Sequence, residues 1–169
     1  QTYFVNTCAD LRARIDAARP GDVILVRMGT YYCVPMYIKT SGTKEAPIIL
    51  TSELTSTGEK AIFHGGDGWA TFNNSAHHWI VGGFKFRNFG NYVIKLADSV
   101  VKEKGAAQNN RFTDSIFESN GVDRGSNSAV ITVGEGAHKT RIDHNIFRKN
   151  YNHPRVTYDS DAAYPTKDV

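Results

Sequence analysis

Apolar positions in this chain fall into many short runs, and only one segment has the spacing of a helix. Residues 7–18 place apolar side chains three or four positions apart, Thr7 precedes them as an N-cap, and Pro20-Gly21 follows as a stop. The apolar face of this segment comprises Cys8, Leu11, Ile15 and Ala18. The sequence therefore predicts one short N-terminal helix.

The remaining apolar runs have the length and composition of strands. They are rich in Val, Ile, Phe and Tyr and are separated by Gly, Asn, Asp and Ser. The predicted strands cover residues 23–27, 48–51, 61–64, 78–81, 92–96, 129–133 and 141–147. One helix followed by many short strands indicates an all-β body with a helical cap.

An internal repeat decides how these strands are arranged. Residues 111–120 align without gaps on residues 141–150, an offset of 30 residues, and an earlier copy at 79–88 fits with one inserted residue. A second apolar strand follows each copy after a loop of variable length. The matching columns are Arg111 with Arg141, Phe112 with Ile142, Ser115 with Asn145, Ile116 with Ile146, Phe117 with Phe147, and Asn120 with Asn150.

Strands that recur once per repeat, with variable loops between them, predict a right-handed parallel β-helix in which like residues form inward ladders. We expect a single domain over residues 1–169, with the helical cap at about 7–19 and the coils at about 22–165. The helix would cover the first coil, whose strand edges are otherwise open to association. A β-sandwich with accidental internal similarity is the alternative.

Composition and charge exclude some classes of function. The chain has 169 residues, a mean hydropathy of −0.40 and a net charge of +3, which indicate a globular domain. The longest apolar runs are far shorter than a membrane span, and no Lys/Arg stripe of the kind that binds nucleic acid is present. We therefore expect neither a membrane nor a nucleic acid as partner.

The N-terminus and the cysteines bear on the compartment. The sequence begins at Gln1 without an initiator Met or a leader, as expected of a mature secreted chain, extracellular or periplasmic. Cys8 and Cys33 are an even pair that allows one disulfide; two buried thiols are the alternative.

Several segments resemble the N-terminal coils of the alginate lyase and chondroitinase B family, polysaccharide lyase family 6, and the resemblance spans nearly the whole chain. The most discriminating segment is RIDHNIF at residues 141–147. The others are AARPGDVILV at 17–26, GTY at 29–31, SGT at 41–43, APIIL at 46–50 and WIVGGFKF at 79–86.

The resemblance implies a fold and a chemistry. Family members are right-handed parallel β-helices with an N-terminal capping helix, and they cleave uronate-containing polysaccharides by β-elimination. A Lys removes the proton at C5, Ca²⁺ held by Asn and Glu neutralises the sugar carboxylate, and an Arg assists. A cation is needed there because the proton next to a carboxylate becomes acidic only when the developing charge is stabilised.

The resemblance covers only the N-terminal half of the family. The family's metal ligands and catalytic Lys and Arg lie on coils beyond the segment at 141–147, so no catalytic residue carries over. The chain is then either the N-terminal part of a longer β-helix or a short relative. The leading interpretation is a secreted lyase acting on alginate or chondroitin/dermatan sulfate. The alternative is a non-catalytic glycan-binding or interaction scaffold.

Candidate catalytic residues follow from strand alternation. If Ile94, Leu96, Ile131 and Val133 point inward, a polar stripe runs outward along the strands at 92–96, 129–133 and 155–158, with Lys95, Thr132 and Tyr158 as its members. Lys95 would be the base and Tyr158 a proton donor or stacking platform. Asp98, Glu135 and Asp161 follow these strands and would supply oxygen ligands for Ca²⁺. Ordinary solvated turn residues are the alternative.

The most basic stretch supplies candidates for binding an acidic polysaccharide, because Arg pairs with carboxylates through two parallel hydrogen bonds. The candidates are Lys139, Arg141, His144, Arg148 and Arg155. Since Arg111 and Arg141 share a column, a structural role is the alternative for that pair. Finally, we expect the tail at 151–169 to cover the open C-terminal coil, or that coil to self-associate with another chain.

Overall fold

The computed structural model describes residues 1–33, 35–66, 72–96, 107–121, 129–134 and 137–151. These residues form one helix and fifteen strands. In chain order the elements are β1 (Thr2–Val5), α1 (Cys8–Asp16), β2 (Val23–Val26), β3 (Thr30–Tyr31), β4 (Met36–Ile38), β5 (Ile48–Ser52), β6 (Ile62–His64), β7 (Phe72–Asn74), β8 (Trp79–Gly82), β9 (Lys85–Arg87), β10 (Ile94–Leu96), β11 (Arg111–Thr113), β12 (Ile116–Glu118), β13 (Ile131–Val133), β14 (Arg141–Asp143) and β15 (Ile146–Arg148).

The strands pair in parallel and build three sheets. Sheet A has the order β1-β2-β5-β8-β11-β14, sheet B β3-β6-β9-β12-β15, and sheet C β4-β7-β10-β13. From β2 onward the chain visits sheets A, B and C in turn, so each strand stacks on the one from the coil before. The predicted parallel β-helix with a short N-terminal helix is confirmed.

The core is made of ladders of like residues, one from each coil. In sheet A, Ile24, Leu50, Val81 and Phe112 stand in one column and are at most 1% exposed. In sheet B the column is aromatic, and successive ring centroids lie 4.9–5.9 Å apart. Its members are Tyr31, Phe63, Phe86, Phe117 and Phe147. A single coil could not bury these side chains, so the core forms only when the coils stack.

A sharp corner joins sheet A to sheet B in each repeat. Gly83, Asp114 and His144 occupy this corner with φ of 77°, 54° and 54°, the left-handed region that Asp and His tolerate better than most residues. The prediction of a single strand at 141–147 is therefore wrong, because His144 turns the chain between β14 and β15. Just before the first corner, a Cβ on Gly82 would lie 2.5 Å from the carbonyl oxygen of Thr113, so only glycine fits.

Polar side chains of one coil bind the backbone of the coil before it. Asn145 accepts a hydrogen bond from the N–H of Ser115 (3.0 Å) and donates one to the carbonyl of Phe112 (2.9 Å). Asn150 binds the N–H of Asn120 and the carbonyl of Phe117 in the same way. These bonds explain the polar columns of the sequence repeat, since they satisfy backbone groups at the corners.

The helix caps the first coil as predicted. The side chain of Thr7 accepts a hydrogen bond from the N–H of Asp10 (3.1 Å), and Leu11 and Ile15 are buried. The helix contacts β1, β2 and β4. The coil sheet begins earlier than the predicted residue 22, because β1 precedes the helix and pairs with β2. Among the described residues no helix has the length and apolar character needed to cross a membrane.

Candidate functional site

Two residues of the predicted polar stripe lie on sheet C within the described part of the chain. Ile94, Leu96 and Ile131 are at most 2% exposed, while Lys95 is only half-buried, so the predicted alternation is confirmed in β10. Lys95 stands beside Thr132 in the parallel register, but all three residues of β13 are buried. The role of Lys95 as a base stays a prediction.

The same face contains an unsatisfied hydroxyl. Thr132 is 8% exposed, and its Oγ1 has no hydrogen-bond partner among the described residues. Tyr37 stands in the same row of the sheet, two coils before Lys95 and three before Thr132, and it is 46% exposed. An exposed aromatic ring and a lysine in one row are groups that a sugar chain can use, through ring stacking and hydrogen bonds.

The other members of the predicted catalytic and metal set lie outside the described residues. They are Asp98, Glu135, Tyr158 and Asp161, and with them the predicted binding residue Arg155. Within the described part of the chain, no group of three or more His, Cys, Asp or Glu side chains is placed to hold a metal ion. The calcium site stays a prediction.

The basic stretch contains an ion-pair cluster centred on Asp143. Arg111 donates from Nε and Nη2 to the two carboxylate oxygens at 2.9 and 2.8 Å, and Arg141 adds a contact at 2.8 Å. His144 Nδ1 lies 3.1 Å from the same carboxylate. The hydrogen bond from Arg111 is the main cause that holds the pKa of Asp143 well below its usual range. The same bond raises the pKa of Arg111.

Arg148 belongs to a different cluster, on the outer face of sheet B. It contacts Glu118 Oε2 through Nε (2.8 Å) and Nη2 (2.7 Å), and Lys85 and Arg87 lie 3.6 and 3.9 Å from Oε1. Burial alone would raise the pKa of Glu118, but the bond from Arg148 and the three positive charges bring it below its ordinary value.

The structure thus divides the predicted basic stretch between two faces. Arg141 and His144 lie with Asp143 at the corner of sheets A and B, whereas Arg148 lies on sheet B. Lys139 is exposed in the turn before β14. Because Arg111 and Arg141 share one carboxylate, the structural interpretation of that pair agrees with the geometry.

A cleft of about 410 Å³ lies on the outer face of sheet A. Ile49 and Ile80 contribute apolar side chains to its lining, and residues 53–55 and 58–60 lie along it. Arg111 also contributes to the lining, but its guanidinium is bound to Asp143. The sequence reasoning missed this cleft, because its members come from three coils and share no motif.

The two cysteines belong to the helix cap and the first coil. Both are free thiols; Cys8 packs against the core, and Cys33 is 1% exposed. Burial first, and then the neighbouring Cys8, raises the pKa of Cys33 to about 12. The predicted disulfide is not formed in this structure.

Three comparisons place the chain among known proteins. The family model described as Chondroitinase B matches residues 5–159. A mutant of AlyGC, an alginate lyase of the PL6 family, superposes with a TM-score of 0.70 at 20% sequence identity, over 90% of this chain and 20% of that one. An alginate lyase from Paenibacillus sp. str. FPU-7 gives 0.55 at 16% identity, over 86% of this chain and 57% of that one. A search of curated proteins gave no match.

Proposed function

Because the chain belongs to the chondroitinase B family, we propose that it acts on uronate-containing polysaccharides and takes part in their cleavage by β-elimination. The match of the family model over residues 5–159 carries this proposal. The two similar structures support the polymer class, since both are alginate lyases. The chain spans only 20% and 57% of their lengths, so the activity of a whole lyase is part of the proposal.

The outer face of sheet C supplies groups for this chemistry. In β-elimination a base removes the proton next to the uronate carboxylate, and the bond to the leaving sugar oxygen breaks. Lys95 is the candidate base, because an amine in its neutral form can accept that proton. Tyr158 as proton donor lies outside the described residues and stays a prediction.

Calcium is a separate part of the proposal. If bound, the ion would neutralise the uronate carboxylate, and Asp98, Glu135 and Asp161 are its predicted ligands. An extracellular or periplasmic location accords with a polymeric substrate, because long polysaccharides do not enter cells intact.

The test is the ultraviolet absorbance of unsaturated uronate. The purified chain is incubated with alginate, chondroitin or dermatan sulfate, and pectate, each with Ca²⁺ and with a chelator. We expect a growing signal with one acidic polymer and a smaller one with chelator. Lys95→Ala and Lys95→Arg should both abolish it, but Lys95→Arg should keep binding, because it retains the charge without a usable base.

No signal with any polymer would overturn the elimination proposal. If calorimetry still detects binding, the chain is a non-catalytic glycan-binding scaffold. A signal that survives in both Lys95 variants would remove Lys95 from the mechanism while leaving the activity in place. Lys60→Ala, on the outer face of sheet A, is the matched control and should keep full activity.

A further inference from the structure

Sheet B presents a continuous column of polar and aromatic side chains on its outer face. His64, Arg87, Glu118 and Arg148 stand at successive positions of the parallel register. The ring of Tyr32 extends the column, since its centroid lies 4.7 Å from that of His64. We call these five residues the sheet B stripe. At the usual strand spacing the stripe is about 19 Å long, enough for several sugar rings.

The charges around the sheet B stripe do not balance when its neighbour Lys85 is included. Lys85, Arg87 and Arg148 all face the single carboxylate of Glu118. Arg148 turns its Nε and Nη2 toward that carboxylate, so its Nη1 end is not used there. Arg87 Nε is 3.9 Å from Glu118, beyond hydrogen-bond distance, and has no hydrogen-bond partner among the described residues. Among the described residues, this cluster therefore has two more positive charges than negative ones.

An aromatic platform lies at the other end of the stripe. Tyr32 is 66% exposed and rests against the His64 ring. His64 is itself fixed, because Nδ1 accepts from the N–H of Gly66 (3.0 Å) and Nε2 lies 2.7 Å from the Asn88 side-chain amide. An exposed ring on a fixed support can stack on a sugar without losing much conformational freedom.

We propose that the sheet B stripe binds one chain of an acidic polysaccharide along the axis of the β-helix. Carboxylates or sulfates of the polymer pair with Arg87, Arg148 and Lys85, and a sugar ring stacks on Tyr32. This face is separate from sheet C, where the proposed elimination takes place. The choice of an acidic polysaccharide rests on the proposed function, and the excess positive charge supports it independently.

Calorimetry with alginate oligosaccharides tests the proposal. Lys85→Gln/Arg87→Gln should weaken binding about tenfold or more, because two charge-assisted contacts are lost. Glu118 keeps Arg148 as partner in that variant. Arg19→Gln/Lys44→Gln removes the same charge from exposed positions elsewhere and should leave binding unchanged. Tyr32→Ala should weaken binding several-fold at unchanged net charge. Thermal unfolding confirms that each variant is folded.

Three outcomes would overturn the proposal. The first is equal loss in the charge variant and its control, which would mean attraction by net charge alone. The second is equally tight binding of polyglutamate or duplex DNA, which would mean no recognition of sugar. The third is loss in Tyr37→Ala instead of Tyr32→Ala, which would place the polymer on sheet C. Calorimetry measures binding and not cleavage. A negative elimination assay would therefore not decide whether the sheet B stripe binds the polymer.

A second inference comes from the position of the two cysteines. Cys8 begins α1 and packs against the core, and Arg12, one turn later on the same helix face, donates from Nη2 to the carbonyl of Cys33 (2.8 Å). That bond ties the helix that begins with Cys8 to Cys33. We propose that Cys8 and Cys33 form a disulfide when a disulfide oxidant such as oxidised glutathione is present. Each thiol loses its proton, one S–S bond forms, and the oxidant is reduced to two thiols.

Mass spectrometry and thermal unfolding test the disulfide. After treatment with oxidised glutathione, the mass of the chain should fall by the mass of two hydrogen atoms, and a thiol reagent should label neither cysteine. The chain should also unfold at a higher temperature, because the bond ties the cap to the first coil. Cys33→Ser and Cys8→Ser should show neither change. Two results would overturn the proposal. One is a mixed disulfide between glutathione and one cysteine; the other is that the treated chain, once denatured, still has both thiols.

Discussion

The inner coils and the last described coil are built from the same repeat, yet they bury it to different extents. Phe86 and Phe117 are fully buried, whereas Phe147, in the same ladder, is only partly buried, and Ile146 beside it is 52% exposed. The strand β15 stands at the edge of sheet B among the described residues. The comparison teaches that burial in a solenoid comes from the neighbouring coils and not from the residue itself.

The largest expected effect breaks the aromatic ladder in its middle. Phe117→Ala should lower the free energy of unfolding by about 3–5 kcal/mol, because it leaves a cavity between two stacked rings. Phe147→Ala, with one ring neighbour among the described residues, should cost about half as much or less. Urea denaturation followed by circular dichroism measures both. Equal losses would show that Phe147 is as well covered in solution as Phe117.

An intermediate effect concerns the polar bridges. Asn120 accepts from the N–H of Phe89 and donates to the carbonyl of Phe86, both at 3.1 Å, and it is fully buried. Asn120→Ala should therefore cost about 1–3 kcal/mol, the penalty of unsatisfied buried groups. Asn150→Ala should cost less, since Asn150 is only half-buried and water can reach the groups it leaves. The same denaturation series compares the two, and a larger loss for Asn150 would contradict the comparison.

The smallest effect is electrostatic and should appear only in acid. The pKa values of Glu118 and Asp143 are lower in the folded chain than their ordinary values, so both carboxylates stabilise the fold above the unfolded pKa of about 4. As pH falls below that value, protonation removes this contribution. Glu118→Gln should therefore flatten the loss of stability between about pH 5 and pH 3. The exposed Glu45→Gln is the control and should leave the slope unchanged.

The sequence allowed most of the architecture to be predicted, because the fold repeats and repeats are visible in one dimension. Columns such as Phe117 with Phe147 appear in the sequence alignment and again in the strand register. The strand β1 escaped prediction, because Thr2–Val5 has only four residues and stands before the helix, apart from the other strands. The break at His144 also escaped prediction, because His tolerates a left-handed backbone but adopts it in only a small share of cases.

The candidate sites were harder to predict than the fold. Lys95 and Thr132 could be placed on one face by alternation alone, which is a local property. The division of the basic stretch between two faces could not be predicted by alternation, because Arg141 and Arg148 lie on opposite sides of the turn at His144. The cluster around Glu118 needs residues from three coils, and the sequence does not say which charge faces which.

The parallel register also places the outer side chains at regular intervals along the axis of the β-helix. Each turn of the chain advances every outer column by one strand spacing, about 4.8 Å, whatever the length of its loops. A polymer lying along such a column meets a different side chain at each strand, as the order His64, Arg87, Glu118 and Arg148 illustrates. Duplicating one coil would lengthen each column by one strand without moving the other side chains relative to one another.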